Sequence, residues 1–275
     1  MANYTAADVK ALRDKSGAGM MDCKGALDEA DGDIEKAFEV LRLKGLKGVS
    51  KREGRTTTNG LVVARVAGGK GTLIELACET DFVAKAENFV ALAEEVADAV
   101  VASGASDVES ALAASHGGGT VADAITDKAA IMGEKVELRR VAVVEASGVD
   151  AYLHRTSRDL PPQVGVLLGY EGTDSDTAHD IAVHIAAFSP QYLTRDDVPA
   201  EVVAKEREIA EATARDEGKP EAALPKIVEG RVNGFFKETC LFDQDFAKDN
   251  KQSVGKVAEA AGLKLTGFVR FRVGV

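Results

Sequence analysis

After Gly60 the spacing of apolar residues changes, and this change limits the fold more than any other feature of the chain. Up to Leu41 they recur every three or four positions, as on a helix with one buried face. From Leu61 they run together or alternate, the period of strands. Residues 61–66 are rich in β-branched side chains, Gly68-Gly69-Lys70-Gly71 turns the chain, and residues 72–78 return with Ile74, Leu76 and Cys78 on one face. A helical segment followed by hairpins predicts an α+β chain.

The helical segment divides into three. Thr5 is a good N-cap, and Asp8 three positions on completes a capping box. Val9 and Leu12 form a short apolar face before Ser16-Gly17 stops the helix. Met20, Cys23 and Leu27 follow at helical spacing as far as Asp31-Gly32, and Ile34, Ala37, Phe38 and Leu41 mark a third amphipathic helix. Residues 46–59, mostly Lys, Arg, Gly and Thr, read as a polar linker. Removing everything before that linker is expected to leave a folded body.

Beyond the first hairpin, Phe89, Leu92, Ala93, Val96 and Val100 line one side of a long helix, and residues 136–144 read as a strand. A related order recurs. Residues 151–156 and 163–168 suggest a second hairpin, Ile181, Ile185 and Phe188 share a helix face, and residues 265–273 supply a closing strand. The strand-to-helix joins are alike, Glu79-Thr80-Asp81 in the first and Glu171-Gly172-Thr173-Asp174 in the second. Between them Val202, Val203 and Ile209 lie on a charged helix that ends at Gly218-Lys219-Pro220. Leu224, Val228, Val232 and Phe235 then mark a second helix, so the pair is expected to fold back as an antiparallel hairpin. The expected divisions are 1–53 for the three-helix module with its linker, 54–147 for a first α+β subdomain and 148–275 for a second, interrupted by the hairpin at 191–237.

Composition narrows the function. A formal net charge of −11 disfavours long-range attraction to nucleic acid or an anionic membrane and favours a protein partner or a small ligand. No stretch approaches the roughly 20 apolar residues of a membrane span, and the first residues carry no targeting pattern, so a cytoplasmic protein is expected. Cys23, Cys78 and Cys240 stand far apart, as buried thiols rather than a disulfide framework or metal site. Gly68-Gly69-Lys70-Gly71-Thr72 has Ala64 where a phosphate loop needs glycine, and a strand follows it, so it is a hairpin turn. His179 and His184 are five apart, on different faces of a helix, and His184 shares the stripe of Ile181 and Ile185, as a hydrogen-bonded core or interface histidine would. No catalytic constellation is visible, and no cofactor or metal is expected.

Two segments expose hydrophobes. In Gly17-Ala18-Gly19-Met20-Met21, adjacent methionines cannot both face one helix core, so at least one is expected at the surface. In Thr80-Asp81-Phe82-Val83 a large aromatic follows a strand at the tip of a turn, where the second unit has Ser175 after Thr173-Asp174. Both segments resemble signatures of the elongation factor Ts family. Leu12-Arg13-Asp14-Lys15-Ser16-Gly17-Ala18-Gly19-Met20-Met21-Asp22-Cys23-Lys24 is similar to its N-terminal signature, and Glu75-Leu76-Ala77-Cys78-Glu79-Thr80-Asp81-Phe82-Val83-Ala84 to its second. Asp196-Asp197-Val198-Pro199 and the ending Thr266-Gly267-Phe268-Val269-Arg270-Phe271 also resemble the family.

The resemblance implies a guanine-nucleotide exchange factor that binds elongation factor Tu, both GDP-bound and nucleotide-free, with no chemistry of its own. It implies a ubiquitin-associated-like fold for the first module. Arg13, Met20 and Met21 match positions that pack against a helix of the GTPase, and Thr80, Asp81, Phe82 and Val83 match the loop that displaces its magnesium. The second α+β unit is implied to grip another domain of the GTPase. Some members use the hairpin for self-association, so a homodimer through it is among the expectations. Some also continue into a C-terminal helix that touches the GTPase. Such contacts are not expected from a chain ending at Val275. The competing expectation is a helical-partner binding module without exchange activity, which would use the first fifty or so residues and leave Phe82 without a purpose.

Overall fold

The computed structural model of the chain describes residues 3–275, with the side chains of all but residues 47, 49 and 50. It is an α+β fold that divides into two compact units. One consists of Met1–Val144, Ala151–Leu167 and Phe271–Val275, the other of Glu145–Asp150 and Leu168–Arg270.

Three helices open the first unit: α1 (Ala6–Ser16), α2 (Met20–Glu29) and α3 (Ile34–Arg52). The Thr5/Asp8 capping box starts α1, and Gly17 ends it in the left-handed conformation at φ +72°. Asp33 caps α3 by accepting the Glu35 and Lys36 N–H groups at 3.0 and 3.1 Å. Leu12, Cys23, Ala26, Leu27, Ala37 and Leu41 form the small core between them.

Strands β1 (Asn59–Ala67) and β2 (Lys70–Cys78) pair antiparallel from Asn59↔Cys78 to Ala67↔Lys70. Gly68 and Gly69 make the two-residue turn, both at positive φ (+58° and +78°), which the twist of a tight hairpin requires. The one-turn α4 (Asp81–Ala84), the long α5 (Glu87–Ser103), α6 (Val108–Leu112), the short hairpin β3 (Ser115–His116) and β4 (Gly119–Thr120), α7 (Val121–Met132) and β5 (Val136–Glu145) follow. The sheet order is β1-β2-β5. Leu61, Val63, Ile74, Leu76 and Cys78 share one core with Phe89, Leu92 and Val96 of α5. Burying one such large side chain contributes about 1.5–3 kcal/mol.

One reading is extended and one expectation needs correction. Central strand β2 is buried on both faces. On the second face an alanine Cβ at Gly165 would stand 2.7 Å from Leu73 Cδ1, and the fully buried Glu75 carboxylate pairs with Arg140 at 2.5 Å and Arg139 at 3.5 Å. The linker is also much shorter than composition suggested, because α3 continues through Arg52. Lys, Arg and Leu are good helix formers, and the glycine at 45 lets α7 approach so closely that a Cβ there would stand 1.7 Å from the Ala130 carbonyl oxygen. An Arg42–Asp127 ion pair at 2.7 Å closes the same crossing. Residues 53–58 are themselves tied down. The Thr57 hydroxyl donates to Glu137, and Arg139 donates to the Thr57 carbonyl. Burial pushes the Glu137 carboxyl up, but hydrogen bonds from Thr57, Lys135 and Arg139 outweigh it and hold the pKa at about 2.

Further along the chain come β6 (Gly148–His154), β7 (Val164–Glu171), α8 (Ser175–Phe188), α9 (Ala200–Asp216), α10 (Leu224–Thr239), the short hairpin β8 (Asp245–Phe246) and β9 (Asp249–Ser253), α11 (Val254–Ala260) and β10 (Lys264–Arg272). The second three-stranded sheet has the order β10-β7-β6. Helices α9 and α10 fold back on each other with ion pairs Arg207–Glu229 at 3.0 Å and Arg231–Glu217 at 2.7 Å. Val232 and Phe236 anchor their shared apolar seam against Val198 and Cys240.

Candidate functional site

Where β2 ends, the first unit inserts an extra helical turn that the second lacks. In the second unit β7 leads directly to α8, whose Asp174 cap accepts the Thr177 N–H at 3.0 Å. In the first, Thr80 caps the four-residue α4, its hydroxyl accepting the Val83 N–H at 3.3 Å, and α5 starts afresh at Glu87. A single turn must still bury one side. Val83 and Ala84 enter the core, so Asp81 and Phe82 face outward and Phe82 is 37% exposed. Asp81 pairs with Lys85 one turn on, at 3.3 Å.

The turn is clasped from the segment between α7 and β5. Glu134 Oε2 accepts the Glu79 and Thr80 N–H groups at 3.1 and 3.0 Å, and its Oε1 accepts the Thr80 hydroxyl at 2.5 Å. In return Glu79 Oε1 accepts the Lys135 N–H at 2.6 Å, and Arg55 pairs with the same carboxylate at 3.2 Å. Asn59 Nδ2 donates to the Glu79 carbonyl at 2.8 Å.

The N-terminal helices reach this turn. The Arg13 guanidinium of α1 sits over the Phe82 ring, and Asn88 of α5 donates from Nδ2 to the Ser16 carbonyl at 2.7 Å. Met20 and Met21, at the start of α2, are 56% and 75% exposed. Of the candidate residues, Asp81, Phe82, Met20 and Met21 therefore present side chains to solvent. Arg13 is half-buried against the ring, Thr80 fixes the turn, and Val83 anchors it from below.

Other reactive groups are occupied. All three cysteines are free and buried, and burial pushes their thiols up, most strongly at Cys78, away from thiolate chemistry. His184 is fully buried, its Nε2 2.9 Å from Gln244 Oε1 and its Nδ1 accepting the Ala247 N–H at 3.2 Å. These partners fix the Nε2–H tautomer, and burial holds the pKa below the ordinary histidine value. His179, on the opposite side of α8, pairs instead with Asp150 at 3.1 Å. Among the described residues no group of three or more His, Cys, Asp or Glu side chains could hold a metal, and no helix is long and apolar enough to cross a membrane.

Comparison with known proteins assigns the chain. The profile of the family described as "Elongation factor TS" matches residues 79–275. The chain is 64% identical to "Elongation factor Ts" of Micrococcus luteus and to that of Clavibacter michiganensis subsp. michiganensis, and 60% identical to that of Arthrobacter sp. (strain FB24), with the whole of each protein covered. The chain belongs to the elongation factor Ts family. It is thus a translation elongation factor, as the two quoted signatures implied.

Sequence reasoning passed over the residues that hold the turn. Glu134 was not singled out, and α7 was not recognised although Thr120 and Asp123 form a capping box ahead of Val121, Ile125 and Ala129. That box is the same local signal that located α1 and would have placed both α7 and, one residue past its terminal Gly133, Glu134.

Proposed function

We propose that this chain binds the GDP-bound form of the translation GTPase elongation factor Tu and promotes GDP release and its exchange for GTP. Asp81 and Phe82 enter the GTPase near its magnesium and displace it, while Arg13, Met20 and Met21 pack against a helix of the same domain. The exposed hairpin residue Ile209 offers an apolar position for self-association.

The observation that carries this reading is Phe82: a large aromatic held at the surface on a turn that leaves it little freedom. A pre-ordered wedge pays no ordering cost when it binds. Exchange follows from linkage. GDP is held by backbone donors and by magnesium, the largest local charge. A partner that favours the GTPase with that site distorted weakens the nucleotide, and the nucleotide weakens the partner by the same factor. No acid, base or nucleophile is required, in keeping with buried thiols and a buried, hydrogen-bonded His184.

The test is release of labelled GDP from elongation factor Tu by wild type and by Phe82→Ala. An aromatic anchor of this kind contributes at least ~2 kcal/mol, so release should slow by roughly thirtyfold. A folded Phe82→Ala variant that releases GDP at the wild-type rate overturns the assignment of the wedge.

A further inference from the structure

Glu134 belongs to none of the surfaces that the proposed exchange requires, yet its carboxylate takes three hydrogen bonds from the two residues that lead into Asp81 and Phe82. Its own position is set from the other side. Helix α7 ends at Met132, and Gly133 takes the left-handed conformation at φ +77°, donating its N–H to the Ala129 carbonyl at 3.0 Å. Glu134 is the next residue, and β5 begins at Val136. The Lys135 N–H returns a bond to Glu79, so the two chain segments exchange carboxylates. Hydrogen bonds to an ionised acceptor are roughly twice as strong as neutral ones. They also consume backbone N–H groups that would otherwise be free to follow another path at the end of β2.

From this geometry we infer that Glu134 is a positioning residue of the exchange site: it fixes the backbone at Glu79 and Thr80, and so the direction in which Phe82 leaves the turn. The inference rests on the exchange reading above. It differs from a purely structural role, in which loss of Glu134 would lower stability but leave each folded molecule equally active.

The experiment uses the full chain and GDP-bound elongation factor Tu, with wild type, Glu134→Ala, Glu134→Gln, Phe82→Ala and the Glu134→Ala/Phe82→Ala double variant. Two quantities are read: hydrogen exchange of the peptide spanning residues 79–83 in the free protein, and GDP release over a concentration series that separates the maximal rate from the half-saturating concentration. Glu134→Ala should speed hydrogen exchange in that peptide and lower the maximal release rate by about tenfold or more, but by no more than Phe82→Ala does, as a misplaced wedge would. The half-saturating concentration should move far less. Glu134→Gln keeps an oxygen for the two N–H groups and should recover most of the rate. The double variant should be no slower than the slower single variant, because Glu134 acts through Phe82.

Wild-type maximal release from folded Glu134→Ala, unchanged hydrogen exchange over 79–83, or multiplicative losses in the double variant would each overturn the inference. Wild-type release from Phe82→Ala alone is a different failure, visible without any Glu134 variant. It removes the wedge, and the positioning role with it. Should Glu134→Ala not fold, Glu134→Asp carries the test. It keeps the charge but withdraws the carboxylate by one methylene, and wild-type release from it overturns the inference equally.

Discussion

The guanidinium of Arg13 lies over the ring of Phe82, 4.1 Å from its centroid, joining the first helix of the chain to the turn at the end of β2. A cation over an exposed aromatic face contributes ~0.5–1 kcal/mol. Arg13→Ala should therefore slow GDP release by about two- to fivefold, and by less when Phe82 is already alanine. Arg13→Lys should fall between, because an ammonium lacks the planar stacking of a guanidinium. A double-mutant cycle on release rates checks this. Equal factors in both backgrounds would mean that Arg13 acts on the GTPase alone and that its contact with Phe82 is idle.

The α3–α7 crossing depends on the missing side chain at Gly45. A Cβ there would stand 1.7 Å from the Ala130 carbonyl oxygen, and backbone cannot move aside as a side chain can. Gly45→Ala should destabilise the chain by about 1–3 kcal/mol or more. At Gly25, inside α2, a Cβ meets nothing within 4 Å. Gly25→Ala should stabilise by ~0.5–1 kcal/mol through helix propensity. Thermal unfolding of the two variants should shift in opposite directions. A neutral Gly45→Ala would show that the helices can separate without loss.

Local signals in the sequence carried most of the fold. The Thr5/Asp8 box and the Gly68-Gly69 turn depend on neighbours within a few residues, the α9–α10 hairpin on two helices adjacent in sequence, and each is where periodicity and turn chemistry place it. What escaped was non-local. Nothing near Glu75 reveals that Arg139 and Arg140 will neutralise it, and nothing near residue 46 reveals that α7 will support a longer α3. Removal of the N-terminal helices would, for that reason, uncover α7 and take Arg13 from Phe82. At the candidate site, exposed hydrophobes stood out because they break a pattern. Glu134 did not, because a charged residue after a helix breaks none.

His184 gives the fold an acid-side dependence. Its Nδ1 accepts the Ala247 N–H, and Phe188 stacks on the ring at 4.6 Å, so protonation would set two donors face to face in a buried site. The folded pKa is held below the ordinary 6.5. The unfolded chain therefore takes up this proton first as pH falls. The contribution is whole above 6.5 and is lost below it, down toward the folded pKa. His184→Gln should be less stable at neutral pH but lose less stability between neutrality and about pH 5. Denaturant unfolding at several pH values measures both slopes, and parallel slopes would remove His184 as the cause.

Magnesium separates the wedge from the wider grip. If exchange factor and nucleotide favour opposite states of one site, excess GDP with magnesium should dissociate the complex and removal of both should tighten it. Typical coupling of about 1–3 kcal/mol changes affinity by roughly 5–150-fold, and an efficient exchange factor should stand at or above the top of that range. A chelator alone should speed GDP release from the GTPase, and by doing so should shrink the extra acceleration that Phe82 supplies. Two perturbations of the same interaction are less than additive. Wild type and Phe82→Ala, each assayed with magnesium and with chelator, complete the cycle. The substitution should matter strongly with magnesium and weakly without it. An effect of equal size in both conditions would mean that Phe82 does not act by displacing the ion, and the acceleration would then belong to the grip on the phosphate-binding loop.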